Sequence, residues 1–286
     1  MTPPLIDHFS LLAPDYDVAL SDIWGVLHNG VAAFPAAGEA LKRFRAAGGT
    51  VVLVSNSPRP GEPVKHQLER LGVISEAYDA IVTSGDVTRR VIAERDGGAI
   101  YHIGPERDRS IFDGLDFRFA PLESADYVVC SGLFDDTVET AEDYRPLLER
   151  MRERNLLMVC ANPDVVVERG NQLVYCAGAI ADLYVAIGGQ VVYAGKPHRP
   201  IYDAALAKAT ESRRASIPLN RVIALGDSIR TDLAGAAALG IDCLFVTGGI
   251  HAEELGSREE PDPALLKRLF DEAGVHPKAV MRRLAW

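Results

Sequence analysis

Short apolar runs recur along the chain, and each stops at a cluster of Gly, Ser, Asn or Asp. They are DVALSD, TVVLVSNS, DAIVTSG, AIYHIG, YVVCSG, LLMVCANPD, QVVYAGK, RVIALGDS and DCLFVTGG. Runs this short, rich in Val and Ile and closed by turn formers, predict strands. Between many of them the apolar spacing changes to a helical one. AAGEALKRFRAAGG carries helix formers and a glycine stop, and VKHQLERLG repeats that design. TAEDYRPLLERMRERN sets its acids early and its arginines late, as the helix dipole prefers. HRPIYDAALAKAT and DLAGAAALG follow. Strands alternating with helices predict an α/β protein with a doubly wound, mostly parallel sheet.

In open α/β sheets, ligands bind beyond the carboxyl ends of the strands. Four predicted strands end in chemically useful residues. DVALSD ends at Asp22, TVVLVSNS at Ser55 and Asn56, and QVVYAGK at Lys196. RVIALGDS ends at Asp227, with Ser228 next and Asp232 five positions on. Between Ser55 and Lys196 the segment 86–182 has strands and helices of its own. The expected organisation is therefore a core of residues 1–85 and 183–286 with an inserted α/β domain at 86–182. Taken singly, each polar residue has a dull explanation as a turn former, a helix cap or a solvated lysine. The repeated strand-end placement argues for a shared site.

Composition narrows the field. At 286 residues, 48% hydrophobic and 24% charged, the chain can build a core. A formal charge of −10 makes nucleic acid a poor partner, although a local site can still be positive. The four cysteines form no CxxC pair, and three sit in apolar runs, so buried reduced thiols are expected. MTPPLIDHFS lacks the pattern of a signal peptide, and no apolar run approaches the ~20 residues of a membrane span. A cytoplasmic protein is expected.

The strand-end residues suit phosphoryl transfer. That reaction needs positive charge and hydrogen-bond donors on the non-bridging oxygens. Lys196 can give the charge and Ser55 a donor. Asp22 and Asp227 could hold Mg²⁺, a hard ion that takes few carboxylates, and an aspartate can act as nucleophile. No dinucleotide fingerprint, P-loop or GxSxG elbow is present, and the seven histidines include no HxxxH pair.

The order DIWGVLHNG, VLVSNS, GKPHRPIYDAAL, ALGDSIRTDLAGA and VTGGIHAEEL resembles the haloacid dehalogenase (HAD) superfamily. It is most similar to the class IIA branch, which includes nitrophenylphosphatase-like and sugar-phosphatase-like proteins. FPAAGEALKRFRAAG, TSGDVTRRV and CANPDVVV extend the likeness over nearly the whole chain. The resemblance implies a Rossmann-like core with an α/β cap, and a small phosphorylated metabolite as substrate. It implies that Asp22 is the nucleophile and a Mg²⁺ ligand, with the backbone carbonyl of Trp24 and the carboxylate of Asp227 as further ligands. Asp232 would support the metal site, Ser55 and Asn56 would bind phosphate, and Lys196 would neutralise it and orient Asp22. Asn162, Pro163 and Asp164 would face the substrate from the cap.

Trp24 departs from the pattern. Phosphatases of the family carry a second Asp there, which protonates the leaving group and then activates water. An indole N–H only donates and does not titrate usefully. Three readings follow. An acid could come from elsewhere, such as His28, His198 or the cap. The substrate could have a good leaving group, making the enzyme weak or restricted. Or the chain could bind a phosphorylated ligand without cleaving it. Dehalogenation, which proceeds in the superfamily without Mg²⁺, fits poorly with Asp227. Exposed apolar faces of the cap could make a homodimer.

Overall fold

The computed structural model describes residues 3–95, 97–169, 172–257 and 260–286. The chain divides into two units. The first comprises Met1–Ser55, Lys65–Val82 and Tyr202–Trp286. Its sheet has six strands: β1 (Val18–Ser21), β2 (Thr50–Ser55), β3 (Ala80–Thr83), β11 (Val222–Gly226), β12 (Asp242–Val246) and β13 (Ala279–Met281). Their spatial order is β13-β12-β11-β1-β2-β3, and the pairings from β2 across to β13 are parallel. Counted among themselves along the chain, these strands stand in the order 3-2-1-4-5-6 of a doubly wound sheet. Every residue of β1, β2 and β11 is buried, as expected of parallel strands covered on both faces.

The helices are α1 (Pro35–Ala46), α2 (Gly61–Leu71), α3 (Ser84–Ala93), α4 (Arg145–Glu153), α5 (Ala177–Ala186), α6 (Arg199–Arg213), α7 (Ala234–Leu239) and α8 (Pro263–Ala273). Their limits follow local chemistry. Pro35 opens α1 with φ already set for a helix. Thr83 and Asp86 close a reciprocal capping box on α3. Gly240 ends α7 in the left-handed conformation that favours glycine. No helix among the described residues is long and apolar enough to cross a membrane.

The second unit comprises Asn56–Val64 and Thr83–Ile201. It has its own sheet of β4 (Ala99–Ile103), β5 (Arg118–Phe119), β6 (Tyr127–Cys130), β7 (Leu157–Cys160) and β10 (Gln190–Tyr193), ordered β10-β7-β6-β4-β5. All four pairings are parallel. The hairpin β8 (Val166–Arg169) and β9 (Gln172–Tyr175) stands apart. Alternation along the strands divides the core in two. Val128, Met158 and Cys160 join Leu148, Met151 and Tyr184 on one face, whereas Val129 and Val159 join Ile100 and Phe112 on the other. All four cysteines are buried free thiols.

The sequence-derived break after residue 182 falls inside α5. The strand beyond it, β10, hydrogen-bonds to β7, so the second sheet continues past that point. Turn chemistry marks where elements end, but not which sheet a strand joins.

Candidate active site

The order of the six-stranded sheet reverses between β1 and β11. From that point one crossover runs to each side, which leaves a crevice at the carboxyl ends. Register sets Ser21 of β1 beside Leu53 of β2 and Leu225 of β11. The next residues therefore leave at one carboxyl edge: Asp22 after β1, Ser55 at the end of β2 and Asp227 after β11.

Asp22, Asp227 and Asp232 are buried, and a carboxylate oxygen from each lies within 4.8 Å of the others. Their backbone is fixed. The Asp22 N–H donates to Leu225 O at 2.8 Å, and the Ser21 hydroxyl donates to Asp22 O at 2.9 Å. Asp232 sits in a single π turn, Ile229–Leu233, where the N–H groups of both Asp232 and Leu233 reach Ser228 O. Such turns are frequent at functional sites. Asp232 Oδ2 in turn accepts the Ser228 N–H at 3.1 Å. Three carboxylates so close repel one another, and burial withholds the water that would screen them. An all-oxygen anionic set fits a hard divalent cation such as Mg²⁺.

Glycines that sequence reasoning did not single out make this cluster possible. A Cβ on Gly25 would lie 2.0 Å from Asp227 Oδ2, and one on Gly249 only 1.9 Å from it. A Cβ on Gly226 would lie 2.1 Å from Asp232 Cγ. The next residue after Gly249, Ile250, donates its N–H to Asp227 Oδ2 at 2.8 Å. The available signal was the Gly-Gly that follows β12 in VTGGIHAEEL. In the same segment His251 Nε2 accepts the Ile229 N–H at 3.3 Å, and Nδ1 contacts Glu254 at 2.6 Å, which fixes the tautomer.

Trp24 lies against the loop that follows Asp22. Its six-membered ring would be 2.5 Å from a Cβ on Gly30, and it meets the His28 ring edge-on at 5.0 Å. His28 is buried, and its Nδ1 accepts the Gly30 N–H at 2.9 Å. Neutral His28 therefore carries its proton on Nε2.

A second set of residues is assembled within the other unit. Asn56 Oδ1 accepts the Lys196 N–H at 2.7 Å. Asn56 Nδ2 donates to Asp164 Oδ1 at 2.8 Å and to Lys196 O at 3.2 Å. Asn162 Oδ1 accepts the Asp164 N–H at 3.1 Å, which shapes the turn after β7. Gly195 leaves room for this network, since its Cβ would be 2.3 Å from Asn56 Oδ1. Lys196 is 3% exposed. The expectation that the Asn56 side chain binds phosphate meets a geometric obstacle, because both its amide hydrogens are spent on protein acceptors. The amide clamps the Lys196 backbone instead. His198 stacks flat on Tyr193 at 4.6 Å, and burial holds its pKa below the usual imidazole value.

Comparisons with known proteins agree with this arrangement. Residues 19–118 match the family model described as haloacid dehalogenase-like hydrolase, and residues 193–273 match one described as HAD-hydrolase-like. A crystal structure of a haloacid dehalogenase-like hydrolase from Brucella suis 1330 is 46% identical, with a TM-score of 0.87 over 98% of this chain and 99% of that one. Glycerol-3-phosphate phosphatase of Gallus gallus is 27% identical, over 86% of this chain and 84% of its own. The 4-nitrophenylphosphatase of Schizosaccharomyces pombe is 24% identical, over 86% and 89%. With family models matching residues 19–118 and 193–273 and a 46% identical relative over 98% of its length, the chain belongs to the haloacid dehalogenase-like hydrolases, in their class IIA branch.

Proposed function

We propose that the chain is a Mg²⁺-dependent phosphatase of a small phosphorylated metabolite, with Asp22 as nucleophile. The observation that carries this reading is the cluster of three buried carboxylates at the switch point of the first sheet. Asp22, Asp227, Asp232 and the Trp24 carbonyl would hold the cation. When bound, Mg²⁺ supplies the positive charge that lets an anionic carboxylate approach an anionic phosphoryl group.

In this reading Asp22 attacks phosphorus, the P–O bond to the alcohol breaks, and an aspartyl-phosphate forms on Asp22. Ser55 donates to a non-bridging oxygen. Lys196, held by Asn56, supplies a fixed positive charge, and the segment from Asn162 to Asp164 faces the substrate. The second unit, Asn56–Val64 and Thr83–Ile201, serves as the substrate-selecting cap. Water then attacks the intermediate and releases phosphate.

The leaving oxygen needs a proton, and position 24 offers an indole. General acid–base help is typically worth 10²–10⁴-fold, or about 3–5 kcal/mol of barrier. His198 is a poor substitute acid, because burial disfavours its protonated form. Without an acid from His28 or the cap, the activity is restricted to substrates with good leaving groups.

The test is phosphate release from aryl and alkyl phosphates of graded leaving-group pKa, with Mg²⁺ and with EDTA, using Asp22→Asn as control. The expected result is metal-dependent release that falls steeply as leaving-group pKa rises. A flat profile would overturn the restriction. No release from any substrate, with phosphorylated ligand still bound, would identify a binding protein that does not cleave.

A further inference from the structure

The second sheet repeats the logic of the first. Numbered among themselves along the chain, β4, β5, β6, β7 and β10 stand in the order 2-1-3-4-5, which reverses between β4 and β6. That order has its own switch point, and ligands in such sheets bind beyond the carboxyl ends there. A pocket of about 400 Å³ opens at this place. Gly104 and Pro105, which follow β4, line it together with Phe134, which lies just past β6. His102, Arg109 and Phe119 complete the functional part of its wall.

The lining is uneven in a way that selects a ligand. Phe119 and Phe134 are 45% and 47% exposed, although each is braced from behind. Phe119 packs edge-on against Phe117 at 4.8 Å and Phe112 at 5.0 Å. Phe134 stacks on Tyr144 at 5.6 Å, and its N–H donates to the Tyr144 hydroxyl at 2.6 Å. Rings held this way lose little entropy when a ligand covers them. The Arg109 guanidinium lies over the Phe119 ring, 5.0 Å from its centroid. Its ion pair is with Glu106 at 2.9 Å, and both side chains are more than half exposed. Such surface pairs are weak, so an incoming anion can displace the glutamate.

The floor is fixed as well. His102 Nε2 is 2.9 Å from Ser131 Oγ. Gly104 permits that bond, since a Cβ there would lie 2.0 Å from Ser131 Oγ. A pocket of this volume, with aromatic walls, one cation and a held imidazole, has the dimensions and balance of small-molecule sites.

We propose that the second unit carries its own binding site for a small aromatic anion at the β4/β6 switch point, with the ring against Phe119 and Phe134 and the acid group on Arg109. The residues that line this site all belong to the second unit, and binding there does not depend on hydrolysis. A carboxylate and a phosphoryl group share the required chemistry.

The test is calorimetric titration of the Asp22→Asn protein in EDTA with 1-naphthoate and with 1-naphthylphosphonate. Cyclohexanecarboxylate and 1-naphthalenemethanol test the ring and the charge separately. We expect saturable binding of at least one aromatic anion, weakened tenfold or more by Arg109→Ala and by Phe119→Ala, with both control compounds much weaker. Phe119→Leu replaces Phe119→Ala if the latter lowers the melting temperature sharply. Absence of binding by both probes would overturn the proposal. So would affinity that is indifferent to Arg109→Ala and Phe119→Leu, or that is lost in Lys196→Ala while those two variants bind normally. The last result would place the probe among the residues around Lys196.

Discussion

Asn56 Oδ1 accepts the backbone N–H of Lys196 at 2.7 Å, across 140 residues of chain. The same amide returns a bond to Lys196 O and a third to Asp164. One side chain thus fixes where a buried ammonium-bearing residue leaves its strand. Asn56→Ala should leave the Lys196 N–H without its acceptor, at a cost of about 1–3 kcal/mol. Urea unfolding would read the loss. Phosphate release should fall through kcat rather than KM alone, and Asn56→Asp should recover little, because it lacks the amide donor. Wild-type stability in Asn56→Ala would remove the positioning role.

Trp24 occupies the position where an acid would assist the leaving group. Trp24→Asp should raise turnover of alkyl phosphates by about 100- to 10,000-fold, the usual span of general acid–base catalysis, and change nitrophenyl phosphate little. Since the partly buried Trp24 also packs on Gly30 and abuts His28, its removal should lower stability by about 1–3 kcal/mol. The two effects separate in one experiment, by measuring rates below the melting temperature of the variant. No gain on alkyl phosphates in a folded, Mg²⁺-binding variant would count against the missing-acid account.

Asp22, Asp227 and Asp232 repel one another until a cation joins them. Saturating Mg²⁺ should therefore raise the melting temperature, since a ligand at 100 times its Kd contributes about 2.7 kcal/mol. Asp227→Asn should lose most of that rise. In EDTA the same variant should be at least as stable as wild type, because one buried charge is gone while an oxygen remains for the Ile250 N–H. Equal Mg²⁺ shifts in the two proteins would rule out Asp227 as a ligand.

Gly249 leaves the space that Asp227 fills. Gly249→Ala should displace the carboxylate and cost about 1–3 kcal/mol from overpacking. It should also abolish the Mg²⁺-dependent thermal shift, which a purely structural defect would not do. Calorimetric scans with and without Mg²⁺ distinguish the two.

Burial, aided by the nearby Arg109 charge, pushes the His102 pKa down to about 4 from its ordinary 6.5. Unfolded His102 binds a proton through that interval and folded His102 does not. Its contribution is thus complete above pH 6.5 and is lost as pH falls towards 4, by up to about 3 kcal/mol. Urea unfolding of His102→Phe should show a shallower fall than wild type over this window. Parallel curves would show that His102 does not titrate with unfolding.

Much of this was written in local chemistry. Strands that are buried on both faces must be apolar throughout, so VALS, TVVLVS and VIALG declared themselves. Polar residues following apolar runs at four strand ends made Asp22, Ser55, Lys196 and Asp227 stand out; the structure brings Asp22 and Asp227 together in the first unit and sets Lys196 beside Asn56 in the second. What the sequence could not supply was the pairing between distant segments. Strand order put Asp22 and Asp227 at a reversal of the first sheet, and pairing with β7 carried β10 into the second. The use of Asn56 as a clamp, the space left by Gly25 and Gly249 for Asp227, and the aromatic pocket after β4 and β6 all depend on contacts between residues far apart in the chain. Periodicity reports which face of an element is buried. Only tertiary packing decides which partner it is buried against, and therefore which hydrogen bonds a polar side chain has left to offer.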